Sequence, residues 1–250
     1  MPVFSRNAEI SIYYEIVGQG SPVLLLHGFM GTGSSEFPDL VSWLAQRYQV
    51  ILPDLRGYGR STPKPRPYPI DFYRQDAEDM AALLAHLNVS NVAVIGYSDG
   101  GEVALWLPIL APDRICGVVT WGATGHFDTS IRPAVMEMLS LNWITPQMRD
   151  LHGAEHLTTM GQRWAVAMLG IIDQGGDITF SRASEIRCPV LMLLGDRDWL
   201  NPVAMGRSMA QAIPNGRFTR YPRTGHAIHL ERPRLFRWQI ARFLKRLRLK

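Results

Sequence analysis

The sequence predicts an α/β fold: a mostly parallel central sheet flanked by helices, with a small helical cap over it. Three observations carry this prediction: short runs that are apolar throughout, helical patterns between them, and one long interval where the alternation stops. The 250 residues are 46% hydrophobic and 19% charged, which supplies a sizeable core and excludes intrinsic disorder. That length suits one domain with an insertion better than two equal domains.

Residues 10–17 alternate in polarity and predict an early strand. Val23-Leu24-Leu25-Leu26 is continuously apolar, as a strand covered on both faces is. Val50-Ile51-Leu52, Val92-Ala93-Val94-Ile95, Gly117-Val118-Val119 and residues 190–194 repeat that pattern, and residues 217–221 also read as a strand. Helical spacing fills residues 40–47, 72–87, 102–110 and 203–212. Strand and helix in alternation predict a sheet with crossover helices on both faces. Between Trp121 and Pro189 the rhythm fails, and the interval is too long for a simple crossover. It predicts a helical cap insertion at 125–185, between core segments 1–124 and 186–250. The interval holds Trp143, Trp164 and five of the eleven methionines: Met136, Met138, Met148, Met160 and Met168. Thioethers adapt to ligands and also fill cores, so these side chains either wall a pocket or pack ordinarily.

The net charge of +4 invites a nucleic-acid reading, but its location argues otherwise. Residues 232–250 carry eight basic side chains and no acid, leaving 18 basic against 22 acidic residues elsewhere. Leu235, Phe236, Ile240, Phe243, Leu244 and Leu247 recur there at helical spacing, which predicts an amphipathic helix with a solvated cationic face. Its cations cluster towards the end favoured by the helix dipole. No nucleic-acid partner is expected. No membrane partner is expected either, since no apolar run approaches the roughly 18 residues of a span. The opening residues lack the layout of a signal peptide, so a cytoplasmic location is expected. Cys116 and Cys188 form neither a disulfide framework nor a metal-ligand pattern.

Chemistry-bearing residues gather at the carboxyl ends of the predicted strands, where open α/β sheets bind ligands. The strand ending at Ile95 runs into Gly96-Tyr97-Ser98-Asp99-Gly100-Gly101 and then a helix, which meets G-x-S-x-G in its strand–turn–helix setting. So tight a turn strains the backbone at Ser98, and neighbours without Cβ avoid clashing with it. Ser98 is the expected nucleophile, at a helix N-terminus that favours developing negative charge. Its hydroxyl needs a base. His226, in a loop ahead of the last helix, is the expected base, with His229 a neighbour in that helix's first turn. His86 falls in a helical pattern, and His126, His152 and His156 lie in or beside the cap. His152 and His156 have the spacing of a metal pair but no third ligand. Asp198, in Gly195-Asp196-Arg197-Asp198, is expected to orient the imidazole. Asp196 is the alternative, or else pairs with Arg197 or caps the turn. Oxyanion donors are expected from the N–H of Asp99 and from Phe29 or Met30, with Phe29 favoured and His27 ordering that loop.

These motifs together resemble the α/β-hydrolase superfamily over the whole length. They are His27-Gly28, the run Asp54-Leu55-Arg56-Gly57-Tyr58-Gly59-Arg60-Ser61, the Ser98 turn, residues 195–198, and Gly225-His226 followed by Glu231 and Pro233. A narrower resemblance is to the valacyclovir hydrolase, or biphenyl hydrolase-like, family. It rests on Arg56-Gly57-Tyr58-Gly59 leading through Asp71-Phe72 to Asp76, on Ser98-Asp99-Gly100-Gly101, and on Trp121-Gly122-Ala123. That resemblance implies hydrolysis of α-amino acid esters, with Asp99 matching the residue that holds the substrate ammonium. His27 stands where that family has proline.

Charge points the same way for Asp99. A carboxylate beside a developing oxyanion is unfavourable for a neutral ester in a dry cleft, whereas a substrate ammonium offsets that repulsion. The other reading has Asp99 stabilising its helix through the dipole and pointing away from the pocket. The combined expectation is a serine hydrolase acting on small-molecule carboxylic esters through an acyl-enzyme, with no metal or organic cofactor. The alternatives are a carbon–carbon bond hydrolase of ring-cleavage products, a general carboxylesterase, an aminopeptidase of the same fold, or a receptor that keeps the triad without turnover. The first needs an arginine from the cap, Arg132, Arg149 or Arg163, to meet an anionic substrate.

Overall fold

A strand's side chains point alternately to its two faces, so a strand apolar throughout must be covered twice, and here it is. The computed structural model describes residues 2–247. In chain order the first half builds β1 (Val3–Ser5), β2 (Ser11–Val17), β3 (Ser21–Leu26), α1 (Pro38–Leu44), β4 (Tyr48–Pro53), α2 (Phe72–His86), β5 (Val92–Tyr97), α3 (Asp99–Leu110) and β6 (Ile115–Trp121). The second half adds α4 (Arg132–Met138), α5 (Pro146–His152), α6 (Ala154–Asp173), β7 (Val190–Gly195), α7 (Val203–Ala212), β8 (Gly216–Tyr221), α8 (Ile228–Glu231) and α9 (Pro233–Arg246).

The strands form one sheet in the order β1-β2-β4-β3-β5-β6-β7-β8. β1 and β2 run antiparallel, and every pair from β4 to β8 is parallel. Leu24 and Leu26 face a core shared with Leu83, Leu84, Val103 and Leu107 of α2 and α3. Val23 and Leu25 face the opposite core, shared with Leu40, Leu44, Ile240 and Leu244 of α1 and α9. β3 and β5 are neighbours with Leu26 opposite Gly96. The two loops that leave their carboxyl ends, at His27 and Ser98, therefore emerge side by side.

Three elements depart from the sequence reading. β1 is too short to show a pattern. α3 begins at Asp99 rather than at Glu102, because it is buried all round from Asp99 to Pro108 and so has no amphipathic stripe to mark its first turn. His229 lies in α8, a separate short helix ahead of α9. In α9 the stripe holds at Phe236, Ile240, Phe243 and Leu244, while Leu235 turns outward and is 45% exposed. Arg234, Arg242, Lys245 and Arg246 are exposed. Arg248 and Lys250, counted in the basic run, lie outside the described residues.

Between β6 and β7 come α4, α5 and α6, with 3-10 turns at Thr129–Ile131 and Phe180–Glu185. α5 starts where Thr145 accepts the Met148 N–H at 3.2 Å, with Pro146 in the first helical position.

The segment after β4 is pinned by buried ion pairs to α2. Arg56 meets Asp79 at 2.7 Å, and Arg66, 1% exposed, meets Asp76 at 2.7 Å between the rings of Tyr58 and Tyr68. Arg66→Met is expected to lower stability by about 3–5 kcal/mol, because Asp76 is left buried without its cation. Arg74→Met, which breaks an exposed pair with Glu78, is expected to change it by less than about 1 kcal/mol. Urea denaturation of the two variants checks the contrast.

Candidate active site

The turn at Ser98 is built by what its neighbours lack. Ser98 sits at φ 53° and ψ −122° at the head of α3, a conformation that L residues adopt only under strain. A Cβ on Gly96 would lie 2.2 Å from the Gly100 carbonyl oxygen, and one on Gly100 would lie 2.4 Å from that of His27. Both glycines let the first turn of α3 press against the ends of β3 and β5. Gly28 approaches from the other side, where a Cβ would come within 3.1 Å of the Ser98 Cβ.

His226 arrives from the loop between β8 and α8. Its Nδ1 lies 2.7 Å from Asp198 Oδ2. Asp198 follows β7, is buried, and turns its other oxygen to the N–H groups of Leu200 and Asn201 at 3.0 and 3.1 Å. Held from both sides, the carboxylate fixes the Nδ1–H tautomer and leaves Nε2 with a free lone pair. The imidazole packs on the Tyr97 ring with centroids 5.0 Å apart, and on Gly122, where a Cβ would lie 2.5 Å from Cε1. Ser98 and His226 line one cavity. The three predicted side chains thus converge at the carboxyl edge of the sheet. Asp196 is elsewhere: it accepts the Arg223 N–H at 2.6 Å and caps that turn.

Three of the other histidines are structural in their contacts. His27 donates from Nδ1 to the Gly28 carbonyl and accepts the Leu55 N–H at Nε2, 2.8 and 2.9 Å away. Burial lowers its pKa to about 3, so it is neutral and ties two strand-end loops together. His229 accepts the Trp121 indole N–H at 3.1 Å, with a pKa lowered by burial to about 4. His152 donates to the Met30 carbonyl at 3.0 Å and accepts the Gly59 N–H at 3.3 Å. Among the described residues no cluster of three metal-ligating side chains occurs.

Of the two loop residues weighed as oxyanion donors, Phe29 lines the cavity beside Ser98, stacked on Trp164 with ring centroids 4.6 Å apart. Met30 is fully buried at φ 59°. Among the described residues neither N–H is engaged in a hydrogen bond.

Ser98 also lines a second, much smaller chamber of about 20 Å³, roughly one water in size. Asp99 faces it rather than pointing away. Asp99 accepts the Tyr73 hydroxyl at 2.7 Å and the Trp164 indole N–H at 3.0 Å, and it has no ion-pair partner among the described residues. Burial raises its pKa to about 6, against the pull of Tyr73 and the Arg66 charge. Glu102, one turn along α3, shares the chamber and accepts the N–H groups of Thr124 and Gly125, at 2.7 and 3.0 Å. Burial pushes Glu102 up to about 7. The methionines divide: Met168 lines the chamber, Met138 and Met148 line the cavity, Met160 is core and Met136 faces solvent.

Sequence reasoning missed Tyr73, Glu102 and Glu36, while Trp164 was among the side chains expected either to wall a pocket or to pack ordinarily. Glu102 was available, since it falls one helical turn after Ser98 and Asp99 on the same face. The others come from distant elements and carry no local signal.

Serine hydrolase BPHL of Mus musculus is 29% identical over 229 residues, covering 88% of this chain and 78% of that protein. The 3-oxoadipate enol-lactonase 2 of Acinetobacter baylyi is 25% identical over 271 residues, covering 98% of this chain and 99% of that one. Among solved structures, a thermophilic esterase from Thermogutta terrifontis superposes with a TM-score of 0.73 at 24% identity, covering 98% of this chain and 97% of that one. The enol-lactonase from Burkholderia xenovorans LB400 does so with a TM-score of 0.75 at 22% identity, covering 98% and 100%. Both structures share the fold. Residues 21–136 and 124–233 match the family model for the alpha/beta hydrolase fold, and the chain belongs to that family.

Proposed function

We propose that the chain is a serine hydrolase that cleaves small-molecule carboxylic esters through an acyl-enzyme, preferring esters of small α-amino acids. The observation that carries the reading is the 2.7 Å bond between Asp198 and His226, whose free Nε2 shares a cavity with the strained Ser98. Ser98 attacks the ester carbonyl as His226 takes its proton. The N–H groups of Asp99 and Phe29 receive the oxyanion, a contribution of about 3 kcal/mol per donor in such sites. His226 then protonates the leaving alcohol, and a water activated by the same imidazole releases the acid. Proteins named as a serine hydrolase and an esterase among the relatives support the reaction class. The helices of 125–185 act as its cap: Met138, Trp143 and Trp164 wall the cavity.

The amino-acid preference rests on Asp99. A buried carboxylate with two neutral donors and no cation retains acceptor capacity for an ammonium. Met168 and Leu200 line the chamber, whose volume is about 20 Å³, so glycyl and alanyl groups fit better than bulky ones. Arg132 pairs with Asp173, Arg163 donates to the Arg66 carbonyl, and neither they nor Arg149 lines the cavity or the chamber. This disfavours an anionic ring-cleavage substrate.

Asp99→Ala is expected to reduce kcat/KM for alanyl esters about 10- to 100-fold, the loss of a charged hydrogen bond, and to leave simple acyl esters little changed. Equal losses on both would remove the ammonium role. The same preference is expected to be pH-dependent. Asp99 is anionic above about 6, so the ratio of kcat/KM for an alanyl ester to that for its N-acetylated counterpart should fall as pH drops through 6. The substrate amine stays charged on that side, and His226 acts on both esters, so neither can produce the fall.

A further inference from the structure

The larger cavity beside Ser98 has an electrostatic character of its own. It measures about 520 Å³, within the range of small-molecule sites. Ser98 and His226 line it, and among the described residues no lysine or arginine does. Two carboxyl groups do, Glu36 and Glu137. Its walls are aromatic. Phe29 stacks on Trp164 and tilts against Trp143 with centroids 5.6 Å apart, while Trp199, beside Asp198, is 52% exposed at the lining.

Glu36 is the group left unexplained by folding or by the triad. It sits in the loop between β3 and α1, with its carboxyl over the α-carbon of Gly31, where a Cβ would lie 1.9 Å from Oε2. Residue 31 therefore has to be glycine for the carboxyl to fold back along the cavity wall. Among the described residues the Glu36 side chain has no hydrogen-bond or ion-pair partner, although burial raises its pKa to about 7 against the pull of His226. A half-buried carboxyl with no ion-pair partner among the described residues gains from a ligand that supplies a cation. Indole and phenyl faces attract the same kind of charge.

We propose that this cavity is the leaving-group site, and that it takes alcohols bearing an ammonium or quaternary ammonium group, with Glu36 as their anion and the aromatic faces as their walls. The inference rests on the hydrolase reading for its place in the reaction. The acyl carbon–oxygen bond breaks, the acyl group stays on Ser98, and the departing oxygen takes its proton from His226 while the cation remains at Glu36. Together with Asp99, it makes the site electronegative on both sides of the scissile bond.

A product measures this without turnover. Choline and its neutral carbon isostere neohexyl alcohol are titrated into the protein at pH 8, where Glu36 is charged, with binding read from tryptophan fluorescence. Choline should bind the wild type at least about tenfold more tightly than neohexyl alcohol, as a charged partner and aromatic faces together allow. Glu36→Gln, with its fold checked by circular dichroism, should cut that ratio at least about fivefold, leaving the smaller preference that the aromatic faces supply. Equal binding of the two alcohols, no binding of either, or a choline preference that Glu36→Gln leaves undiminished overturns the inference. Hydrolysis of p-nitrophenyl acetate, compared between wild type and Ser98→Ala, tests the hydrolase reading separately. Choline selectivity without Ser98-dependent turnover would keep the cation site and discard its catalytic placement.

Discussion

Ser98→Ala is expected to lower kcat for p-nitrophenyl acetate by about ten-thousand-fold or more, since a triad that loses its nucleophile retains only what binding and oxyanion donors supply. The fold should survive. Ser98 makes no side-chain hydrogen bond at the head of α3, and alanine meets the same positive φ with one atom fewer. Thermal unfolding within a few degrees of wild type, together with the missing burst of p-nitrophenol, would separate lost chemistry from lost structure. Activity within tenfold of wild type in a well-folded variant would assign the hydrolysis to another group. Glu36, Glu137, Asp99 and Glu102 are the carboxyls that share a cavity with Ser98 and would be considered in that case.

What was readable in advance follows a physical division. Strands β3 to β7 announce themselves because burial on both faces demands unbroken apolar runs, and the turns after them carry glycines where backbones touch. Ser98, Asp198 and His226 were legible for that reason: each ends a recognisable strand or follows one by a short loop. α3 concealed its first turn, since a helix buried all round has no stripe and Asp99-Gly100-Gly101 reads as a turn. The electrostatics were less legible. The Asp99 pair of donors joins α2 to α6 across 26 and 65 residues of sequence. The fold-back of Glu36 depends on an absent side chain at Gly31. Contacts of that kind arise from which elements the sheet order brings together, and β3 beside β5 is a tertiary outcome that no local pattern encodes.

Asp198→Asn is expected to lower kcat by about ten-thousand-fold at neutral pH, through the tautomer of a neighbour rather than through any contact with substrate. The carboxylate now accepts from three sides: Leu200 N–H and Asn201 N–H on Oδ1, and His226 Nδ1–H on Oδ2. An asparagine keeps the backbone bonds with its carbonyl oxygen, which turns its amide N–H groups towards the imidazole. Nδ1 must then accept, the proton moves to Nε2, and the nitrogen facing the cavity can no longer take a proton from Ser98. Asp196→Asn provides the contrast. Its carboxylate serves the Arg223 N–H, an acceptor role an amide oxygen can fill, so activity should stay within a few-fold of wild type. NMR of the His226 ring nitrogens reads the tautomer directly. If Asp198→Asn leaves the proton on Nδ1 while activity falls, the loss comes from displacement of the loop at 198–201, and the tautomer account of the triad fails.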